Sequence, residues 1–323
     1  MYALVAHNAP FPMPPSTIVI TPDGSEIYLC DESGGRIRRF GSSTGKNELP
    51  SIDVGGHPHR MLVGPRSGNI YVLDSQGSRV VVINPRTEEI TYALTYVGHV
   101  SNSFALTPDE RKLYISNEQP SPQATVTVVN LRRPDHQVHY IEGFNCPEGL
   151  AIVPDGSKLY VSTQCGAQHD PILVVDSQTD QIKKTIGDFA VGTADLAVAN
   201  RGKRVYVSRG MSTPEDKDGN ILNVPAQISA IDTVRDEKVE SEKLATGNAF
   251  AVTPDSKFLL FANGTSIEIV NTETRATRSI TVGLPIAGIA VGKPNRNSST
   301  LVCYAWCPDR NFIFFTGLTG LLP

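Results

Sequence analysis

Val153-Pro154-Asp155-Gly156-Ser157-Lys158-Leu159-Tyr160-Val161 decides the fold, because the chain keeps repeating it. Thr21-Pro22-Asp23-Gly24-Ser25-Glu26-Ile27-Tyr28-Leu29 and Thr107-Pro108-Asp109-Glu110-Arg111-Lys112-Leu113-Tyr114-Ile115 are near copies. Looser copies begin at Gly64, Ala199 and Thr253. The tyrosines fall at 28, 71, 114, 160 and 206, spacings of 43, 43, 46 and 46; Leu260 continues the series, and Cys303 follows 43 residues later. Seven strand-rich copies at this period predict a β-propeller, each copy being one blade.

The second copy shows how a blade is built. Arg60-Met61-Leu62-Val63 is a short apolar run ending at Gly64-Pro65, as a buried inner strand requires. Residues 69–74 and 79–84 are β-branched and aromatic strands, and 89–94 alternates polar with apolar like a half-exposed outer strand. In Pro-Asp-Gly, proline presets φ and glycine takes the conformation that a Cβ forbids. No helical period is present, so the class is all-β: seven four-stranded antiparallel blades, at about 16–55, 56–98, 99–143, 144–190, 191–245, 246–281 and 282–323. The last copy supplies three strands (286–291, 301–306 and 311–315), and segment 2–7 is expected to add the fourth and close the sheet edge. The 323 residues are thus expected to form one seven-bladed domain, a monomer or a domain of a larger protein.

Composition narrows the function. Charged residues are 19% and the net charge is −4, which gives no electrostatic case for nucleic acid or an anionic membrane. The basic clusters Arg36, Arg38, Arg39 and Arg201, Lys203, Arg204 read as solvated faces. No apolar stretch is long enough to span a membrane, and no basic-then-apolar leader opens the chain. Five cysteines (30, 146, 165, 303 and 307) show no disulfide framework, which suggests a cytoplasmic chain.

In a propeller the connection into each inner strand and the loop between its second and third strands open on one face, around the channel mouth. Aligned on the repeat, the positions leading into the inner strands are Ser16, His59, Asn102, Glu148, Ala194, Asn248 and Ala287, with His57, His99, Cys146 and Asp195 beside them. The second-to-third-strand loops add Glu118, Cys165, His169 and Arg209. Such convergence makes the mouth the candidate pocket. His59, Glu148 and His169 are the candidate catalytic residues, with His59 and Glu148 as general base and acid. His57, His99, Asn102, Asp195, Arg209 and Asn248 are the candidate ligand contacts. The imidazoles with Glu148 could also hold a divalent metal, and Cys146, Cys165 and His169 a nucleophilic pair or soft-metal corner. Gly41–Lys46 has the wrong spacing for a phosphate loop, and 216–220 the wrong spacing for a calcium loop. The insertion from Arg209 to Pro225 interrupts the fifth blade on the mouth face and could act as a lid or partner contact.

On Pro154-Asp155-Gly156-Ser157-Lys158-Leu159-Tyr160-Val161-Ser162, residues 172–179 and Ile182, together with 70–74 and 80–84, the chain resembles the YVTN family of seven-bladed propellers, within the lactonase and quinoprotein-amine-dehydrogenase-like group. The resemblance implies the scaffold. For activity it implies a range: lactone hydrolases, muconate cycloisomerases, and non-catalytic members that bind partners or nucleic acid. The first expectation is a recognition module for a protein or small ligand. The alternative is a lactonase-like hydrolase or isomerase of a small metabolite, metal-assisted at the mouth.

Overall fold

In a computed structural model the chain forms a seven-bladed β-propeller, every blade a four-stranded antiparallel sheet. The structure describes residues 3–6, 18–42, 48–74, 76–95, 103–117, 125–132, 135–164, 171–187, 189, 193–209, 227–244, 248–295, 297–310 and 312–320. From inner to outer strand, blade 1 is Ile18–Ile20, Glu26–Asp31, Arg36–Gly41 and Glu48–Asp53; blade 2 is Pro58–Val63, Ile70–Asp74, Arg79–Asn84 and Glu89–Thr95. Blade 3 is Phe104–Leu106, Lys112–Asn117, Thr125–Asn130 and Val138–Ile141; blade 4 is Pro147–Ile152, Lys158–Thr163, Ile172–Asp176 and Gln181–Ile186. Blade 5 is Thr193–Ala199, Arg204–Arg209, Gln227–Asp232 and Glu237–Leu244; blade 6 is Asn248–Val252, Phe258–Asn263, Ser266–Asn271 and Thr277–Thr281. Blade 7 takes Gly288–Gly292, Val302–Cys307 and Phe312–Gly317 from the end of the chain, and its outer strand, Ala3–Ala6, from the beginning. No helix among the described residues is long and apolar enough to cross a membrane.

The chain divides into two compact units, Met1–Thr95 with Ala249–Pro323, and Tyr96–Asn248. Within each, the apolar clusters lie between successive blades. In the first unit Tyr28, Cys30 and Ile37 of blade 1 pack with Met61, Val72 and Val81 of blade 2. In the second, Tyr114, Val126 and Val128 of blade 3 pack with Leu150, Leu159 and Val161 of blade 4. A blade therefore buries its faces only against its neighbours.

The repeated tyrosine also carries a latch. Residues i and i+2 of a strand share a face, so Lys112 and Tyr114 reach together into the outer turn of the next blade. Lys112 Nζ donates to Asp180 Oδ2 at 2.7 Å and Tyr114 Oη to Asp180 Oδ1 at 2.7 Å. Lys158 Nζ meets Asp236 Oδ2 at 2.7 Å, and Tyr160 Oη donates to Asp236 Oδ1. In blade 1 the same turn position, Glu88 of blade 2, meets Arg39 at 2.6 Å instead, with the guanidinium 5.6 Å over the Tyr28 ring. Burial, and then the adjacent Asp236, push the Tyr160 phenol well above its ordinary value, so it stays a donor. Asp236→Ala is expected to cost about 2 kcal/mol in urea unfolding; a loss below about 0.5 kcal/mol would mean that the latch contributes nothing.

Two expectations are corrected. Arg38 and Arg39 are not on a solvated face: their side chains are 3% and 2% exposed, paired with Glu48, and with Glu26 and Glu88. The blade 7 counterpart of the repeated tyrosine is Tyr304, one residue beyond Cys303. Leu301, three residues before Tyr304, accepts from Leu318 N, just as Ser25, three before Tyr28, accepts from Ser42 N.

Candidate functional site

Three inner strands carry a bulge where polar residues were expected. In blade 2 the ladder passes from Pro58↔Asp74 to Arg60↔Leu73, leaving His59 as the additional residue. In blade 4 it passes from Pro147↔Thr163 to Leu150↔Val161, across Glu148 and Gly149. In blade 5 it passes from Thr193↔Arg209 to Leu196↔Val207, across Ala194 and Asp195. A bulge withdraws a backbone N–H from the ladder, and a buried N–H needs another acceptor. A serine directly after the Tyr-Val pair supplies it: Gly149 N donates to Ser162 Oγ at 2.8 Å and Asp195 N to Ser208 Oγ at 3.0 Å. In blade 3, Ser103 N donates to Ser116 Oγ at 3.0 Å. The bulges of blades 4 and 5 are thereby clamped in position.

In the first unit a second device holds the same end of the strands. Asp31 and Asp74 close the second strands of blades 1 and 2, each opening the pattern Asp-x-x-Gly-x-Arg, 43 residues apart. Asp74 Oδ1 accepts from Gly77 N at 2.8 Å and from His57 N at 3.1 Å, while Oδ2 takes Arg79 Nε at 2.8 Å. Arg79 Nη2 reaches on to the carbonyl of Val54 at 2.8 Å. Burial by itself would raise the Asp74 carboxyl, but Arg79 and the N–H groups of Gly77 and His57 outweigh it and hold the carboxyl below its ordinary range. Asp31 repeats the contacts with Gly34 N at 2.9 Å and Arg36 Nε at 2.8 Å. A glycine is required at 77, because a Cβ there would collide with the Asp74 carboxylate.

His59 is half-buried, with Nδ1 3.7 Å from Glu32 Oε1. His57 is held through its backbone by Asp74. Glu148 is half-buried in the other unit; Gln164, with its amide nitrogen turned toward it, donates to Oε1 at 3.1 Å. Asp195 sits in its bulge, Arg209 ends the second strand of blade 5, and Asn248 opens the inner strand of blade 6. His99, Asn102, Glu118, Cys165, His169 and residues 210–226 lie outside the described residues. Glu32, Asp31 and Asp74 were missed by sequence reasoning, although the 43-residue recurrence of Asp-x-x-Gly-x-Arg was there to be found.

The cysteine expectation is overturned. Cys146 is disulfide-bonded, whereas Cys30, Cys303 and Cys307 are free. A sulfur in a disulfide is neither thiolate nucleophile nor metal ligand. Burial pushes the Cys303 thiol up to about 12, which makes it a small buried hydrophobe. Among the described residues no group of three or more His, Cys, Asp or Glu side chains is disposed to hold a metal ion.

No protein-family model matches the sequence, and no curated protein sequence does. Solved structures do match. A chain of Kuenenia stuttgartiensis hydrazine synthase superposes with a TM-score of 0.75 at 15% identity, over 96% of this chain and 97% of that one. The β-propeller domain of Myceliophteria thermophila Cps50 (Swd1) superposes with a TM-score of 0.72 at 10% identity, over 98% of this chain and 99% of that one. At these identities the likeness is one of fold, and the fold is the seven-bladed β-propeller.

Proposed function

We propose that the chain is a recognition module of the YVTN type, which holds a protein or small ligand on the bulged ends of its inner strands. The clamped bulge carries this reading. In the second unit buried serines fix where Glu148 and Asp195 stand, and in the first the Asp74 staple holds His57 beside the His59 bulge; each is a rigid support suited to binding. The bulge residues meet neighbours that orient them: Glu148 receives the Gln164 amide, and the His57 backbone is tied to Asp74. The net charge of −4 sets nucleic acid aside as the partner.

One observation favours a second reading. Glu32 stands 3.7 Å from the His59 imidazole, a carboxylate–imidazole neighbourhood that a hydrolase or isomerase could use as a general base. A photocrosslinking residue at 59 or 148 is expected to trap a discrete adduct in the native host, and one at Glu273, on an exposed turn at the other end of the strands, none. Turnover of simple lactones that falls at least about tenfold in His59→Ala would replace recognition by hydrolysis.

A further inference from the structure

At the strand ends away from the bulges, the turn between first and second strands meets the residue that follows the third strand. In six blades the N–H of that residue donates to the carbonyl that precedes the second strand. Ser42→Ser25 is 2.9 Å, Leu131→Arg111 2.8 Å, Ser177→Ser157 3.1 Å, Thr233→Lys203 3.2 Å, Thr272→Lys257 2.8 Å and Leu318→Leu301 2.8 Å. In four of them a hydroxyl adds a second tie: Ser42 to Gly24 O, Ser177 to Gly156 O, Thr233 to Gly202 O, and Thr272 to Lys257 O. In blade 2 the residue at this place is Pro85, which has neither an N–H nor a hydroxyl. Its two turns cannot be tied together in this way.

A cleft of about 290 Å³ lies at that spot, between Pro22 and Asp23 of blade 1 and Pro65, Arg66, Pro85 and Arg86 of blade 2. Gly68, at φ +71°, also lines it, and a Cβ there would come within 2.9 Å of the Pro22 ring. Position 66 departs from the repeat as well. Where Asp23, Asp109, Asp155 and Asp255 stand in four other blades, blade 2 has an arginine, reversing the charge; blade 5 has Arg201 there too, but keeps Thr233 where blade 2 has Pro85. Arg86 is exposed on the facing turn, with its backbone N–H fixed by Asn84 Oδ1 at 2.9 Å.

We propose that blade 2 carries a second binding site here, for a carboxylate on a short apolar stem. The proline rings offer flat apolar walls for the stem, and the two guanidinium forks suit the planar carboxylate. Each guanidinium has five donors, so a partner at rest does not exhaust it. With Asp23 also in the lining, the cleft carries one net positive charge, which a single carboxylate balances, while the far carboxylate of a free diacid stays in solvent. The stem and carboxylate could belong to a free dicarboxylic acid or to a glutamate of a peptide, and the test separates these.

Glutarate, glutaramide and the peptide acetyl-Ala-Glu-Ala-amide would be titrated calorimetrically into wild type, Pro85→Ser and Arg66→Asp. Both substitutions install residues that other blades already carry, and Pro85→Ser restores the missing tie, so its thermal midpoint should not fall. Glutarate or the peptide is expected to bind wild type, glutaramide not to bind, and each variant to weaken binding at least about tenfold. Peptide at least tenfold tighter than glutarate assigns the site to a protein segment, and equal affinity to a small acid; either supports the site. No binding to wild type, or unchanged binding to a folded Pro85→Ser, overturns it.

Discussion

Asp74→Ala is expected to destabilise the chain by about 2–4 kcal/mol, the cost of taking a buried carboxylate from a half-buried arginine and two backbone N–H groups. The Asp74 side chain is 3% exposed. Its loss strands Arg79, which Asp74 Oδ2 holds at 2.8 Å, and leaves the N–H groups of Gly77 and His57 without their acceptor. The effect has a pH signature. Because the folded carboxyl titrates below the ordinary aspartate value of about 3.9, its stabilisation is complete above that value and is lost as pH falls through the folded pKa. Urea titrations should therefore show a constant gap between wild type and variant from neutral pH down to about 5, narrowing below about 4. A gap under about 1 kcal/mol, or one that persists unchanged to pH 2, would mean that the staple is not an ion pair. His57 adds a local readout: its backbone tie to Asp74 predicts faster amide exchange at 57 in the variant.

What the sequence makes legible here follows from what repeats. Tyr28, Tyr114, Tyr160, Tyr206 and Tyr304 are each no more than 2% exposed, and a large residue needed once per blade stamps its period on the chain. The Pro-Asp-Gly turns are readable for a similar reason, since their chemistry is local: Asp23 and Asp155 each accept from the N–H two residues on. Arg38 and Arg39 misled because their partners are distant. Glu88 lies 49 residues from Arg39, and no local pattern separates a buried, paired arginine from a solvated one. The bulges at His59, Glu148 and Asp195 depend on register, which is decided by pairing between strands. The sequence trace of the last two is the serine after Tyr-Val at 162 and 208; the His59 bulge has none, since Leu73 follows Tyr71-Val72. The cleft of blade 2 was legible in principle as a missing tie: proline at 85, where four other copies have serine or threonine and two have leucine. The disulfide at Cys146 was not, since five cysteines at irregular spacing suggest no pairing.

Deleting residues 1–6 is expected to lower the thermal midpoint by about 10 °C and to make the protein aggregate on heating. Ala3, Leu4, Val5 and Ala6 pair with Phe315, Phe314, Ile313 and Phe312. Four paired residues at about 1 kcal/mol per hydrogen bond give about 4 kcal/mol, and for a chain of this size each kcal/mol moves the midpoint by about 2–4 °C. The aggregation follows from what is uncovered. Phe312-Ile313-Phe314-Phe315-Thr316-Gly317 would become an open edge with no charge and no proline, the pattern that recruits strands from other molecules. Ile313 and Phe314 are 0% and 3% exposed in the closed blade, so their burial is at stake as well as their hydrogen bonds. The decisive control is restoration in trans. A synthetic peptide of residues 1–8 should raise the midpoint of the truncated protein in a saturable manner and suppress light scattering, because it supplies the same ladder. A truncated protein that melts within about 2 °C of wild type would show that the blade holds without its fourth strand. Recovery by a scrambled peptide of equal composition would show that apolar coating, not register, protects the edge.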